Sequence, residues 1–216
     1  MVRYAATLLF ILSFRPVNSQ QPSTDDARIA SNISQTASDF EARTRHFTNP
    51  KWSYPAGDLN SVLAGTRQQL LDDLPPDAAP LRAYVMQNFP AVITGIPASQ
   101  KINMKICGPY LANANEVLGS LKAVNAYRLD LILDSNPTGA LFELKPVAGD
   151  KLASASRGTI TNVWRGVYDY TVVKDGEKTI TGTVNLVREK GNLLRCTFVH
   201  ASSPGAALPC ELVAAQ

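Results

Sequence analysis

YRLDLILDSNPTGALFELK, residues 127–145, is where the period of this chain changes from helical to two. Tyr127, Leu129, Leu131 and Leu133 alternate with Arg128, Asp130, Ile132 and Asp134. Such alternation marks a strand with one buried face. Asn136-Pro137-Thr138-Gly139 follows as a turn in which proline presets φ and glycine takes the positive φ after it, and a second strand, Ala140 to Lys145, leaves it. Downstream, Thr159–Trp164, Val167–Lys174, Lys178–Arg188, Leu193–Val199 and Pro209–Val213 read as further short strands. Asp175-Gly176 and Lys190-Gly191-Asn192 read as hairpin turns. Six or seven such strands predict a small antiparallel β-sandwich over residues 126–216.

Upstream the spacing is helical, over a region of residues 20–125. Ile29, Ile33, Ala37 and Phe40 form one stripe within Asp25–Phe47, with Ser23 or Thr24 as N-cap. Asn49-Pro50 ends that helix. Asn49 to Gly57 reads as a loop carrying two exposed aromatics, Trp52 and Tyr54. A second helix is predicted from Leu59 to Leu74 behind Asp58, a third from Pro80 to Phe89, and a fourth from Asn113 to Val124 capped by Asn113 or Asn115. Residues 91–111 stay open between strand and helix. The class is therefore α+β: a helical N-terminal half followed by the sandwich.

The N-terminus carries Arg3, then the apolar run Ala5–Phe14, then Val17-Asn18-Ser19 with small residues before a cleavage point. This is the pattern of a secretory signal peptide over residues 1–19. Ten apolar residues are too few to cross a bilayer core, which takes roughly 20 in a helix. The expected mature protein is exported, periplasmic or extracellular, with no transmembrane anchor after signal cleavage. Its formal charge of +3 is dispersed, with no run of basic residues, so nucleic acid is not an expected partner.

Export places the three cysteines in an oxidising compartment. Cys196 and Cys210 fall on adjacent predicted strands, so they are the expected disulfide, and Cys107 remains as a buried thiol. The two histidines, His46 and His200, show neither HxxxH nor CxxC around them, so no metal is called. No G-x-S-x-G elbow occurs, and Ser154–Gly158 reads as a small-residue loop. The carboxylate pairs Asp72-Asp73 and Asp130/Asp134 read as solvated ends. No catalytic residue and no cofactor is assigned. The candidate binding residues are aromatic or beside one: Trp164, Arg165, Trp52 and Tyr54, since Trp, Tyr and Arg concentrate binding energy at interfaces.

The turn Pro137-Thr138-Gly139-Ala140 and the later run Gly166, Tyr168, Lys174 and Gly176 resemble the PEGA module, a sandwich-like unit of bacterial extracytoplasmic proteins. The resemblance covers residues 127–188, with Thr138 where that family usually has glutamate. It implies a scaffold or binding module and assigns no catalytic residue. The expectation is an exported cell-envelope binding or scaffold protein whose partner is a protein or an envelope polysaccharide. The alternatives are a secreted hydrolase with a site at the junction of the two halves, and an inhibitor or effector acting through Asn49–Gly57.

Overall fold

The computed structural model describes residues 24–124, 126–147, 154–187, 191–198 and 209–214. The predicted signal peptide, Ser23 and His200 lie outside these residues. Helix α1, Thr24–Thr44, has Asp25 and Asp26 at its positive end and buries Ile29, Ile33 and Phe40 along the predicted stripe. Burying each such side chain contributes about 1.5–3 kcal/mol before entropy is charged against it. The helix tightens into a 3-10 turn, Arg45–Thr48, that buries Phe47. Asn49 is extended, as the proline after it requires.

The predicted loop that follows contains a strand. β1, Ser53–Pro55, pairs antiparallel with β2, Lys101–Asn103. Helix α2, Ala56–Asp73, therefore starts before the predicted Leu59, and Asp58 lies inside its first turn. The amides of Ala56 and Gly57 instead donate to the carbonyls of Gln100 and Ala98, both at 2.8 Å. A neighbouring backbone segment thus satisfies donors that a capping side chain would otherwise take.

Helix α3, Ala79–Asn88, buries Leu81, Tyr84 and Val85 as the spacing predicts. Helix α4, Met104–Lys122, starts nine residues ahead of the predicted Asn113. Its cap is Asn103, whose side chain accepts from the Lys105 amide at 3.1 Å. Gly108 and Pro109 conceal this extension in the sequence, because a proline inside a helix removes one backbone bond and crowds the previous turn. Burial of Cys107 and Leu111 on either side of Pro109 offsets that cost.

The second half folds into two four-stranded sheets. β3, Arg128–Asn136, lies in the first, in the order β10-β9-β3-β6, with β6 at Thr159–Trp164, β9 at Leu193–Thr197 and β10 at Cys210–Val213. The second runs β5-β4-β7-β8, with β4 at Leu141–Pro146, β5 at Ser154–Ser156, β7 at Val167–Val173 and β8 at Ile180–Asn185. Leu129, Leu131 and Leu133 of β3 share one core with Phe142, Leu144, Val172 and Leu194. The α+β class and the order of helices then strands hold.

Three local readings are corrected. Ser154–Ser156 is an edge strand paired with β4 rather than a loop. Gly191-Asn192 does not close a hairpin, since β8 and β9 belong to different sheets, and Lys190 of the predicted turn lies outside the described residues. Instead β9 lies alongside β3 in parallel, Ile132 opposite Leu193 and Asn136 opposite Thr197, so the first sheet is mixed. Asp175-Gly176 does turn a hairpin, with Gly176 at φ 80°. Pro137 follows Asn136 through a cis peptide, and Gly139 takes φ 87°.

The helices and the sandwich share a boundary. Tyr127, Trp164, Val167 and Val187 are buried in the helical core although they come from the second half of the chain. Gly166, between β6 and β7, stands so close to α3 that a Cβ there would lie 2.2 Å from the carbonyl carbon of Pro80.

Candidate functional site

Trp164 ends β6 where the sandwich meets the helices, and the connection into α3 delivers Asp77 to it. The indole N–H donates to Asp77 Oδ2 at 3.2 Å. The Arg128 guanidinium lies over the ring, 4.1 Å from its centroid, and comes within 3.8 Å of the same carboxylate oxygen. A cation over a Trp face is worth about 0.5–2 kcal/mol. The half-exposed ion pair adds little, because solvent screens it.

Beside this cluster opens a groove of about 150 Å³. Pro80, Pro146, Trp164 and Tyr168 give it apolar walls, and Asp77, Thr161 and Asn162 give it polar ones. Asn162 is held at φ 57°, a left-handed conformation that asparagine tolerates better than most residues. The bulge between Leu129 and Leu131 accompanies it, and the Asn162 amide donates to Asp130 Oδ1 at 2.9 Å. A bulge re-aims the side chains of an edge strand, and β6 is the edge of its sheet.

Of the four candidates named from sequence, only Trp164 lines the groove. Arg165 is half-buried beneath the junction. Its Nε donates to the Ala126 carbonyl at 2.8 Å and its Nη1 to the Leu186 carbonyl at 2.9 Å, and its amide donates to Tyr127. Burial lowers its pKa. These bonds make it a clasp between the helix–strand connection and the end of β8. Trp52 and Tyr54 sit on the β1–β2 ribbon instead. Tyr54 packs edge-on against Phe47 and His46, with centroids at 5.0 and 4.9 Å, and its hydroxyl donates to the His46 carbonyl. Trp52 stands 6.3 Å beyond Tyr54 and is 58% exposed.

The residues weighed for chemistry are engaged structurally. Asp73 accepts from Thr36 at 3.1 Å and from Asn32 at 3.5 Å, joining α2 to α1, while Asp72 accepts from Gln68 on its own helix. Asp134 pairs with Arg195 at 3.0 Å. Cys107 is buried with its Sγ 3.6 Å from the Phe47 carbonyl, and burial pushes the thiol pKa up, away from the reactive thiolate. The Cys196 and Cys210 sulfurs are 1.97 Å apart and form the expected disulfide, leaving Cys107 free. Among the described residues no three His, Cys, Asp or Glu side chains group as metal ligands, and no helix is long and apolar enough to cross a membrane.

Two buried tyrosines give the junction a pH response. Tyr127 donates to the Leu121 carbonyl at 2.9 Å, and burial, then the negative charge of Asp26, pushes its pKa up. Tyr168 donates to the Trp164 carbonyl at 2.7 Å, and burial raises its pKa as well. The fold holds both protons more tightly than the unfolded chain does. Their contribution is therefore full below the ordinary tyrosine pKa of about 10 and is lost as pH climbs through it toward the folded values. Thermal melts should hold their midpoint up to about pH 10 and then fall. Tyr127→Phe and Tyr168→Phe should each make that fall shallower, and a tyrosinate absorbance titration should leave both residues protonated until the protein unfolds. Ionisation of all tyrosines in the folded state would contradict this.

Asp77 and Asn162 carried no signal as site residues. Asp77 lies in PPDAAP and reads as turn punctuation, and Asn162, between Ile160 and Trp164, breaks the alternation of its strand, which marks an irregularity and not a site. Comparison of the chain with protein-family models, with curated proteins and with solved structures finds no match.

Proposed function

We propose that this is an exported binding module of the cell envelope, without catalytic activity, that holds a sugar ring of an envelope polysaccharide in the junction groove. The observation that carries the reading is the groove itself. It sets an indole, a phenol ring and two prolines beside a carboxylate, a hydroxyl and an amide. Apolar walls with a few convergent polar groups are the usual make-up of a small-ligand site. Sugar rings present C–H faces to an aromatic wall and hydroxyls to acceptors such as Asp77. The N-terminal signal pattern and the Cys196–Cys210 disulfide support export. The resemblance of residues 127–188 to an extracytoplasmic module agrees with a holding role.

Trp52→Phe leaves Trp164 as the sole tryptophan, so binding reports on the groove directly. Titration with soluble envelope oligosaccharides should change its emission in a saturable way. Asp77→Ala should weaken that binding about 10- to 100-fold, the loss of a charged hydrogen-bond partner being worth about 1.5–3 kcal/mol. No saturable response to such a panel, or equal affinity in Asp77→Ala, overturns the reading.

A further inference from the structure

The β1–β2 end of the helical layer, far in sequence from the groove residues of the sandwich, has a chemistry of its own. Residues 42–57 and 78–115 contain no Asp or Glu, and the ribbon joins these two stretches. In register Ser53 faces Asn103 and Pro55 faces Lys101. The antiparallel order puts Lys51 and Trp52, just before β1, at the same end of the ribbon as Met104 and Lys105, just after β2. Arg45 joins them through the 3-10 turn, whose His46 carbonyl accepts from Tyr54 on β1. Arg45, Lys51, Lys101 and Lys105 are all exposed. The nearest acids along the chain are Glu41, a turn back along α1, and Asp58, in the first turn of α2.

Trp52 projects from this cationic end. Its ring is braced at one edge by Tyr54 and is otherwise more than half in water. Tyr54 is anchored in turn by its hydroxyl bond to His46 and by Phe47. The indole is thus presented on a rigid support. An indole with a polar N–H favours the boundary between hydrocarbon and water, and lysines around it suit a surface of phosphates. We propose that this end docks on the anionic surface of a lipid bilayer, with Trp52 inserted among the headgroups and Arg45, Lys51, Lys101 and Lys105 on lipid phosphates. Both parts are needed. The cations give a long-range, salt-sensitive attraction, and the indole gives short-range insertion.

Sedimentation with vesicles tests this on the mature protein. Partition should be strong onto phosphatidylcholine vesicles containing phosphatidylglycerol, weak onto phosphatidylcholine alone, and should fall as salt rises. A cation near an anionic surface is worth about 1 kcal/mol, or roughly five-fold in partition. Lys51→Ala, Lys101→Ala and Lys105→Ala should each lower partition by about that factor, and the triple variant by roughly 100-fold. Trp52→Ala should lower it by about ten-fold and abolish the blue shift of emission on binding. All four positions are exposed, so unchanged melting curves certify the fold of each variant. Equal partition onto both vesicle types, a triple variant that partitions like the parent, or retention on soluble polyphosphate without vesicle binding overturns the proposal.

Discussion

Gly166→Ala is expected to lower the stability of the folded protein by about 3–5 kcal/mol, the largest effect foreseen for any single substitution considered. Two costs coincide at this position. Its φ is 148°, in a region that L residues rarely adopt, and forcing a side chain there costs about 1–3 kcal/mol. The added Cβ would also meet Pro80 at 2.2 Å from its carbonyl carbon and 2.4 Å from its oxygen. These are backbone atoms in the first turn of α3, so no side chain can swing away to relieve the contact. Either α3 withdraws from the sandwich or the β6–β7 connection distorts.

A second glycine separates this from a general alanine effect. Gly119 lies within α4 with nothing inside 4 Å of an added Cβ, and Gly119→Ala should stabilise by about 0.5–1 kcal/mol through helix propensity. Denaturant melts of the two variants should therefore move in opposite directions. A Gly166→Ala protein as stable as the parent would show that α3 is not held against the sandwich as described. Because Trp164 and Asp77 approach the groove from the two sides of this contact, the variant should weaken groove binding too.

What the sequence made legible follows from how local each signal is. The inward leucines of β3 and the packing residues of α1 and α3 stand out because period alone predicts which face is buried. The turns at Pro137–Gly139 and Asp175-Gly176 read correctly from sequence, and the structure joins them: Lys174 Nζ donates to the Thr138 carbonyl at 2.6 Å. Which strands become neighbours is not a local property. The crossing from β8 to β9 resembles a hairpin in sequence because glycine and asparagine occur at both kinds of turn. Only the parallel pairing of β9 with β3 distinguishes them. β1 and β2 have three residues each, too few for a period to show, and they stabilise each other across 45 positions of sequence rather than by propensity. The groove was half legible. Trp164 announced itself by residue type, while Asp77 reaches it from 87 positions away and gave no sign.

Reduction of the Cys196–Cys210 disulfide is the second large effect expected. The bridge spans 14 positions, and closing a loop of this size contributes about 3 kcal/mol in the chain-entropy account. For a chain of this length that corresponds to a fall in melting midpoint of roughly 6–12 °C. The sheet indicates where the loss appears. β9 is held on its other side by five register pairs with β3, from Ile132–Leu193 to Asn136–Thr197. Among the described residues β10 is an edge strand whose one strand neighbour is β9, with Cys196 directly opposite Cys210. Reduction should therefore release β10 first. Hydrogen exchange at Glu211–Val213 should accelerate under reductant while Leu194 and Cys196 keep their protection. Cys196→Ala/Cys210→Ala should reproduce the loss without reductant, because both sulfurs face the sandwich core and two methyl groups fit there without leaving a polar group unpaired. Cys107→Ala should leave the response to reductant unchanged, since that thiol lies in the helical core. If melting and exchange stay the same after thiol counting shows full reduction, the bridge does not stabilise the sheet, and the pairing of β10 with β9 must be sufficient by itself.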